Sequence, residues 1–256
     1  MEGATLIEAM ESIRHVHQPS DNDFRFTCDY VHRVGTEFVV SGMLHSGSLS
    51  NHEGFVYVTP HATQPIPIKT IEHLGKQIYG STQPGQFISV NLQCSPDTVP
   101  RRSILLKSAQ AISLPTTFTG TFVFLGAPGF KELVSSYCPS FHFNINNSPS
   151  RLIKLHSILK KGKVVKEEPT ESEIVPGTAF SATFGLLKPT HMETFSKSRM
   201  FGSCVVYDNF YVTIVGIVTE LGTKQFALSK AFLDKVKVAP PQVLSSGRLT
   251  KGAGRP

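Results

Sequence analysis

The sequence lacks tryptophan and has only four cysteines, Cys28, Cys94, Cys138 and Cys204, none of which belongs to a CxxC pair. Zinc sites usually take their ligands from closely spaced pairs, so a structural metal is not expected. The default interpretation of the four cysteines is a set of small buried thiols. The ten histidines are scattered in the same way and form no ligand cluster in sequence. We therefore expect no bound metal.

Long apolar runs are also missing. None approaches the ~20 residues that a membrane-spanning helix needs, and the first residues lack the basic and apolar regions of a signal peptide. These absences predict a cytoplasmic protein without a membrane partner.

Motifs of catalysis are missing as well. The sequence has no GxxxxGK[ST] loop to hold nucleotide phosphates, and no GxSxG, HExxH or HxE…PCxxC pattern. Acidic residues are sparse in the strand-like segments, so a pair of catalytic carboxylates is not indicated. The residues alone therefore favour an interaction module without catalytic residues or cofactor over an enzyme.

Positive charge is concentrated at one end of the chain. The net charge is +6, and residues 223–256 contain seven basic side chains and one acidic one, which leaves residues 1–222 neutral. A solvated terminus and an electrostatic arm for RNA or the ribosome surface both remain open for this tail. The loop "KKGKVVKEEP" adds a second basic cluster. The candidate nucleic-acid or partner-binding residues are Lys160, Lys161, Lys163, Lys166, Lys230, Lys235, Lys237, Arg248, Lys251 and Arg255.

The N-terminal segment predicts a short amphipathic helix over residues 5–13. Thr5 suits the N-cap, and Glu8 three residues later completes a capping box. The segment "HQPSDND" then ends the helix. The apolar residues at helical spacing are Leu6, Ile7, Met10 and Ile13.

After this helix the pattern changes to short alternating strands separated by Gly and Pro turns, which predicts an all-β chain. Six strand-like segments between "FRFTCDYVHRV" and "SILLK" predict a six-stranded antiparallel barrel over residues 24–108. A polar, proline-bearing joint at 108–117 precedes a second six-stranded barrel over 116–222. Most Phe and Tyr residues fall in these strand patterns, so we interpret them as core and not as base-stacking platforms. The basic tail follows at 223–256.

Several segments, taken in order, resemble the elongation factor 1-alpha and elongation factor Tu family of translational GTPases. "GATLIEAMESI" is similar to the family's last GTPase-domain helix, which makes residues 1–23 the end of that domain plus a linker. "QPGQFISVNLQ" is similar to the family's "PGD.V.FN.." segment, and "VPRRSILL" to "V.RG.VL". Further matches are "TTFTGTFVFLG", "VPGTAFSATFGLLKPTHMETF" and "VTIVGIVTEL". The family's first-barrel pattern is matched by Arg25, Asp29, Tyr30, Gly35, Gly42, Leu44, Gly47 and Leu49.

The resemblance covers residues 3–222 and implies the second and third domains of such a factor. "LHSILKKGKVVKEEP" and "GIVTEL" look nearest to the ribosome-rescue GTPase that partners Pelota, a relative of release factor 3. The implied partners are the ribosome or tRNA, with a Pelota-like protein factor as a further one. The family also tends to carry arginines where this chain has Val40–Ser41 and Val206–Tyr207, so contacts made through those arginines do not transfer.

Two functions follow from this resemblance. One is a non-catalytic module that docks a tRNA or a tRNA-shaped protein at the ribosome. The other is the C-terminal part of a GTP-hydrolysing elongation factor whose GTPase domain lies outside this chain.

Overall fold

The computed structural model describes the chain with gaps. The described residues are 5–12, 23–35, 37–50, 54–59, 65–94, 99, 101–108, 112, 114–128, 133, 137–208 and 210–223. Residues 109–111 and 113 of the predicted joint lie outside them, as does the whole tail from residue 224. Residues 1–224 form one compact unit.

The N-terminal helix α1 (Leu6–Glu11) has the predicted capping box at its start. The Glu8 amide donates to Thr5 Oγ1 at 3.3 Å, and the Thr5 amide donates to Glu8 Oε2 at 2.8 Å. The helix buries none of its residues, and Leu6, Ile7 and Met10 are mostly exposed. Ile13 lies outside the described residues. The apolar face predicted from the sequence is therefore open over its described part.

The first barrel closes six antiparallel strands into a ring in the order β3-β7-β1-β2-β6-β4, and β4 pairs back with β3. A seventh, two-residue strand, β5, extends β4 as a hairpin outside the ring. The strands are β1 (Arg25–Val34), β2 (Glu37–Ser46), β3 (Phe55–Val58), β4 (Ile66–His73), β5 (Lys76–Gln77), β6 (Phe87–Leu92) and β7 (Ile104–Leu106).

The second barrel is also a closed ring of six antiparallel strands with a seventh strand outside it, but its strand order differs. Its ring has the order β10-β12-β8-β14-β13-β9, and β9 pairs back with the first half of β10. The strand β11 pairs only with the far end of β10 and projects from the ring as a hairpin. The strands are β8 (Thr117–Phe124), β9 (Ser140–Phe143), β10 (Asn146–Lys160), β11 (Lys163–Glu167), β12 (Ala179–Leu186), β13 (Ser203–Asp208) and β14 (Tyr211–Gly222).

Each barrel has its own core, built by alternation along its strands. In β8 every second residue is buried, so its phenylalanines point into the barrel. Phe141 packs edge-on against Phe118 at 5.2 Å between ring centroids and against Phe184 at 4.8 Å. Such pairs add about 0.5–1.5 kcal/mol each beyond burial. The first core is mainly Val, Leu and Ile. The predicted fold of two six-stranded antiparallel barrels is confirmed.

Two glycines permit close approach of neighbouring strands. A Cβ at Gly42 would lie 1.8 Å from the Thr27 carbonyl oxygen, and a Cβ at Gly216 would lie 2.3 Å from the Phe122 ring. Any side chain at either position would force strands apart, which explains why the pattern "SGML" has glycine in mid-strand.

The sequence pattern predicts a lysine-rich hairpin tip at residues 160–177 and identifies neither β5 nor β11 as a strand. β11 is exposed along its whole length and is rich in lysine, so it lacks the alternation that identifies a half-buried strand. Within the described residues, no helix has the length and apolar character needed to cross a bilayer.

Candidate functional site

The lysine cluster of the sequence analysis lies on the β10–β11 hairpin. Lys160 pairs with Lys163 across the hairpin, and Lys161 occupies the turn with φ of 50°. All three side chains are exposed, and none forms an ion pair within the described residues. Lys166, further back, is paired with Glu173. The structure therefore brings three free lysines together at one tip.

Acidic residues follow this tip closely and weaken its field. Glu167, Glu168, Glu171 and Glu173 balance the four lysines in number. Glu168 accepts from Lys154 Nζ at 3.1 Å, and the lysine partner of Glu173 holds the pKa of that carboxyl at about 2. The remaining candidate cations, Lys230, Lys235, Lys237, Arg248, Lys251 and Arg255, lie outside the described residues.

A buried ion pair joins the two barrels. Arg25 on β1 donates from Nε to Glu193 Oε1 at 2.7 Å and from Nη2 to Glu193 Oε2 at 2.8 Å. Arg25 is 3% exposed and Glu193 2%. The third guanidinium nitrogen, Nη1, donates to the Asp23 carbonyl at 2.9 Å and to Ser46 Oγ at 3.1 Å. This two-point geometry fixes both the distance and the angle between the partners.

The charge of Glu193 is strongly stabilised. Burial by itself would raise the pKa of this carboxyl, but His191, Arg25 and Lys197 together lower it to about 2. Lys197 Nζ lies 3.7 Å from Glu193 Oε2 and 3.6 Å from Asp23 Oδ2. The pair is therefore ionised at neutral pH and held from both barrels.

An apolar cluster lies next to this pair and also bridges the barrels. Ile104 and Leu106 on β7 pack with Phe201, and all three are at most 1% exposed. The ring of His45 meets Phe201 edge-on at 5.8 Å and approaches Thr27 Oγ1 at 2.8 Å. Burial lowers the pKa of His45 to about 4. The barrels thus share an apolar, uncharged contact beside the Arg25–Glu193 ion pair.

A cleft of about 640 Å³ opens beside these contacts. It is lined by Arg25, His45 and Ser46 from the first barrel and by residues 195–201 from the second. Arg25 and Lys197 are already paired with carboxylates, which leaves Arg199 as its one cation without an ion pair in the described part of the chain. Because two of its three cations are already neutralised, this cleft is better suited to holding the two barrels together than to binding an anion.

Exposed aromatic residues occupy the end of the β13–β14 hairpin. Phe210 is fully exposed with φ of 70°, and Tyr207 and Tyr211 are about half exposed. Tyr207 packs edge-on with His142 at 5.4 Å. The interpretation of the aromatics as core is wrong for these three and for four further exposed residues of the first barrel, Tyr30, Phe55, Tyr79 and Phe87. The turn signal inside "YDNFYV" could have identified the three at the hairpin, because turns place their flanking residues at the surface.

The four positions at which the elongation factor family tends to carry arginines, Val40–Ser41 and Val206–Tyr207, differ in exposure. Val40, Ser41 and Val206 are buried, and the Ser41 hydroxyl meets Ser89 Oγ at 2.8 Å. Tyr207 alone is open to a partner. An aromatic ring thus stands where the resemblance implies a cation.

The described residues offer little for catalysis. No three metal-ligating side chains cluster among them, and all four cysteines are unpaired. Burial raises the pKa of Cys28 to about 11 and that of Cys204 to about 12. Because the thiolate is the reactive form, these two thiols are poor nucleophiles at neutral pH.

No family model matches the chain. Elongation factor 1-alpha of Plasmodium falciparum is 24% identical over 232 residues, which cover 87% of this chain and 50% of that protein. Its counterpart in Ignicoccus hospitalis is 24% identical over 225 residues, covering 86% and 49%. The chain is homologous to elongation factor 1-alpha. It spans about half the length of these curated relatives.

Solved structures agree on the fold. Sup35 in complex with GDP superimposes with a TM-score of 0.70 at 19% identity, covering 86% of this chain and 53% of that one. The translation elongation factor SelB of Methanococcus maripaludis gives a TM-score of 0.64 at 12% identity, covering 84% and 46%. The predicted resemblance to translation factors is confirmed as sequence similarity to elongation factor 1-alpha and as a shared fold. The assignment to the Pelota-partner branch stays a prediction.

Proposed function

We propose that this chain is a non-catalytic docking module of the translation-factor type. It binds a tRNA, or a tRNA-shaped protein factor such as Pelota, and presents it to the ribosome in translation or ribosome rescue. The sequence similarity to elongation factor 1-alpha runs through both barrels, which supports a role in which the two act together.

The observation that carries this proposal is the connection between the barrels. The Arg25–Glu193 pair is directional, and the Phe201 cluster is apolar, so together they fix orientation and contribute burial energy. A partner that spans both barrels needs such a fixed geometry, because a hinged pair would lose entropy on binding.

Two kinds of contact surface suit this role. The β13–β14 tip supplies exposed aromatic rings, a residue type enriched at protein interfaces. The β10–β11 tip supplies Lys160, Lys161 and Lys163 for phosphates, and the tail from Lys230 to Arg255 adds the sequence's excess charge. We assign the protein partner to the aromatic tip and the ribosomal or transfer RNA to the basic segments.

A second candidate function is the C-terminal part of a GTP-hydrolysing elongation factor. Two observations favour it: the chain spans half of its relatives, and the open face of α1 would suit a neighbouring domain. An in-frame GxxxxGK[ST] encoded upstream of Met1 would establish it. A calorimetric titration of the purified chain with GTP or GDP should show no saturable binding under either function, so the upstream sequence distinguishes the two, and saturable binding would contradict both.

Binding to tRNA and to ribosomes tests the docking module itself. We expect largely sequence-independent affinity that falls by orders of magnitude between ~50 and ~200 mM salt. Truncation after Gly222 should lower both the affinity and the salt slope. Unchanged affinity and slope would remove the tail from the RNA contact and leave recognition to the barrel faces.

A further inference from the structure

A second, smaller cleft lies between the barrels, with a volume of about 250 Å³. It is lined by Thr59, Arg101 and Arg102 from the first barrel and by residues 145–147 and 188–191 from the second. At ~30 Å³ for each water, it has room for roughly eight waters. That space suits a small hydrated ion or one group of a larger ligand.

The charge of this cleft has one sign. Arg101, Arg102 and Lys188 line it, and among the described residues no Asp or Glu does. None of the three cations forms an ion pair within the described residues, in contrast to Lys166 on the hairpin. Over the described residues the lining of the cleft is therefore positive, and the carboxylate behind its wall, Glu193, is already paired with Arg25.

A buried histidine in the cleft wall has no hydrogen bond of normal length. His191 is 1% exposed, and both of its ring nitrogens are without a hydrogen bond. Its nearest carboxylate oxygen, Glu193 Oε1, is 3.6 Å from Nε2, beyond hydrogen-bond distance. A buried polar group left unsatisfied costs ~1–3 kcal/mol. The two ring nitrogens are closed off from the cleft, so a ligand there would bond to them only after the ring turns toward it.

The backbone at Arg102 is held in a conformation that glycine would adopt more cheaply. Its φ is 63°, and its amide donates to the Cys28 carbonyl at 3.1 Å. A left-handed conformation costs a non-glycine residue about 1–2 kcal/mol, and such strain tends to occur at functional sites. What arginine adds over glycine is a second guanidinium at the cleft.

We propose that this cleft binds a phosphate-class oxyanion. Arg101, Arg102 and Lys188 supply charge-assisted donors, and the guanidinium forks match the geometry of tetrahedral oxyanions. Asn146 supplies a further N–H donor from the second barrel, and His191 supplies one once its ring turns toward the cleft. The same chemistry occurs in free inorganic phosphate and in the backbone of RNA. The proposal stands on the cleft alone and does not depend on the docking function.

The test is a titration of the full chain with inorganic phosphate at constant ionic strength. Long-range ¹H–¹⁵N NMR of the histidine rings reports on His191, and the thermal midpoint reports binding independently. We expect a saturable shift of the His191 ring signals and a rise in the midpoint. Absence of a saturable response in both measurements overturns the proposal.

Charge-matched variants locate the site. Arg101→Gln with Lys188→Gln should weaken phosphate binding at least tenfold, whereas Lys160→Gln with Lys163→Gln removes the same charge from the hairpin and should change it less than twofold. Equal weakening by both pairs would mean that net charge alone attracts phosphate and would overturn the site. His191→Phe, which keeps a ring beside Phe201, should weaken binding as well. If that variant does not fold, the comparison of the two double variants still tests whether the cleft binds phosphate.

A short single-stranded RNA without terminal phosphates distinguishes the sources of the oxyanion. If it competes with inorganic phosphate for the His191 signals, the ligand is the RNA backbone. If phosphate binds and this RNA does not compete, the ligand is a free oxyanion. Ribosome binding by the Arg101→Gln, Lys188→Gln variant is scored separately, so failure of this site leaves the docking proposal intact.

Discussion

The guanidinium of Arg25 and the carboxylate of Glu193, 168 positions apart in sequence, meet in two parallel hydrogen bonds of 2.7 and 2.8 Å between the barrels. Both side chains are almost fully buried. Two buried charges are stable only together, since either one alone would be a desolvated ion. This pair therefore makes the position of each barrel depend on the other.

Removal of one partner tests the importance of this pair. Glu193→Gln keeps the shape of the side chain and leaves the buried Arg25 with Asp23, at 3.3 Å, as its remaining carboxylate partner. We expect a loss of about 3–5 kcal/mol in the free energy of unfolding, measured by urea denaturation. Lys154→Gln, which breaks the exposed pair with Glu168, is the control and should change stability by at most about 1 kcal/mol. An equally small effect at Glu193 would contradict a structural role for the pair.

The same carboxyl predicts an acid-side dependence of stability. The pKa of Glu193 is about 2 in the folded protein, below its ordinary value of 4.5, so its contribution is fully present above pH 4.5. That contribution should be lost as the pH falls from 4.5 toward 2. The stability difference between the wild type and Glu193→Gln should shrink over this window in denaturation curves. A difference that stays constant would place the carboxyl outside the ion pair.

His45 predicts a second, separate pH dependence. Burial lowers its pKa from 6.5 to about 4, so the folded state favours the neutral ring. The stabilisation is complete above pH 6.5 and is lost as the pH falls toward 4. His45→Asn should flatten this part of the stability profile in urea midpoints measured from pH 7 to pH 4. The same change at His73, outside the inter-barrel cluster, should leave the slope in place.

Two phenylalanines nine positions apart provide a matched test of the inter-barrel contact. Phe201→Ala empties the apolar cluster shared by the barrels and should cost about 3–5 kcal/mol. It should also split the thermal transition into two, since each barrel keeps its own core. Phe210→Ala removes the same side chain from a fully exposed position and should change stability by less than about 0.5 kcal/mol. A single unchanged transition in Phe201→Ala would indicate that the cluster does not couple the barrels.

Phe210 should favour binding at the expense of backbone strain. Its φ of 70° suits glycine, so Phe210→Gly should leave the free energy of unfolding unchanged or raise it by up to about 1 kcal/mol. The same change should weaken the partner contact, because the exposed ring is lost. Calorimetry against a Pelota-type factor measures the second effect. Full affinity with normal stability would exclude the aromatic tip from that contact.

Local sequence patterns are sufficient to predict most of the fold. The alternation in "TFTGTFVF" predicts β8 with its buried phenylalanines, and Thr5 with Glu8 predicts the start of α1. The strand β11 could not be predicted, because its residues are exposed on both faces and show no alternation of apolar and polar side chains. Phe210 was misassigned because an aromatic residue in a turn looks, in sequence, like the next residue of a strand.

Contacts between the barrels could not be predicted in the same way. Arg25, Glu193 and Phe201 are ordinary residues in their own segments, and their roles arise only when two closed sheets meet. Arg101 and Lys188 likewise lie far apart in sequence, so the cation-lined cleft they form leaves no local basic cluster. The sequence points to "KKGKVV" instead, where neighbouring glutamates offset much of the charge.

The most direct test of the docking function is sedimentation of the full chain with ribosomes, with and without a Pelota-type factor, at ~50 and ~200 mM salt. The docking function predicts saturable co-sedimentation at low salt that weakens steeply at high salt. It also predicts that a Pelota-type factor increases the bound fraction and that Phe210→Gly, although folded, loses this increase. A chain that stays in the supernatant under all these conditions, and that also fails to bind tRNA, would contradict a docking role in translation.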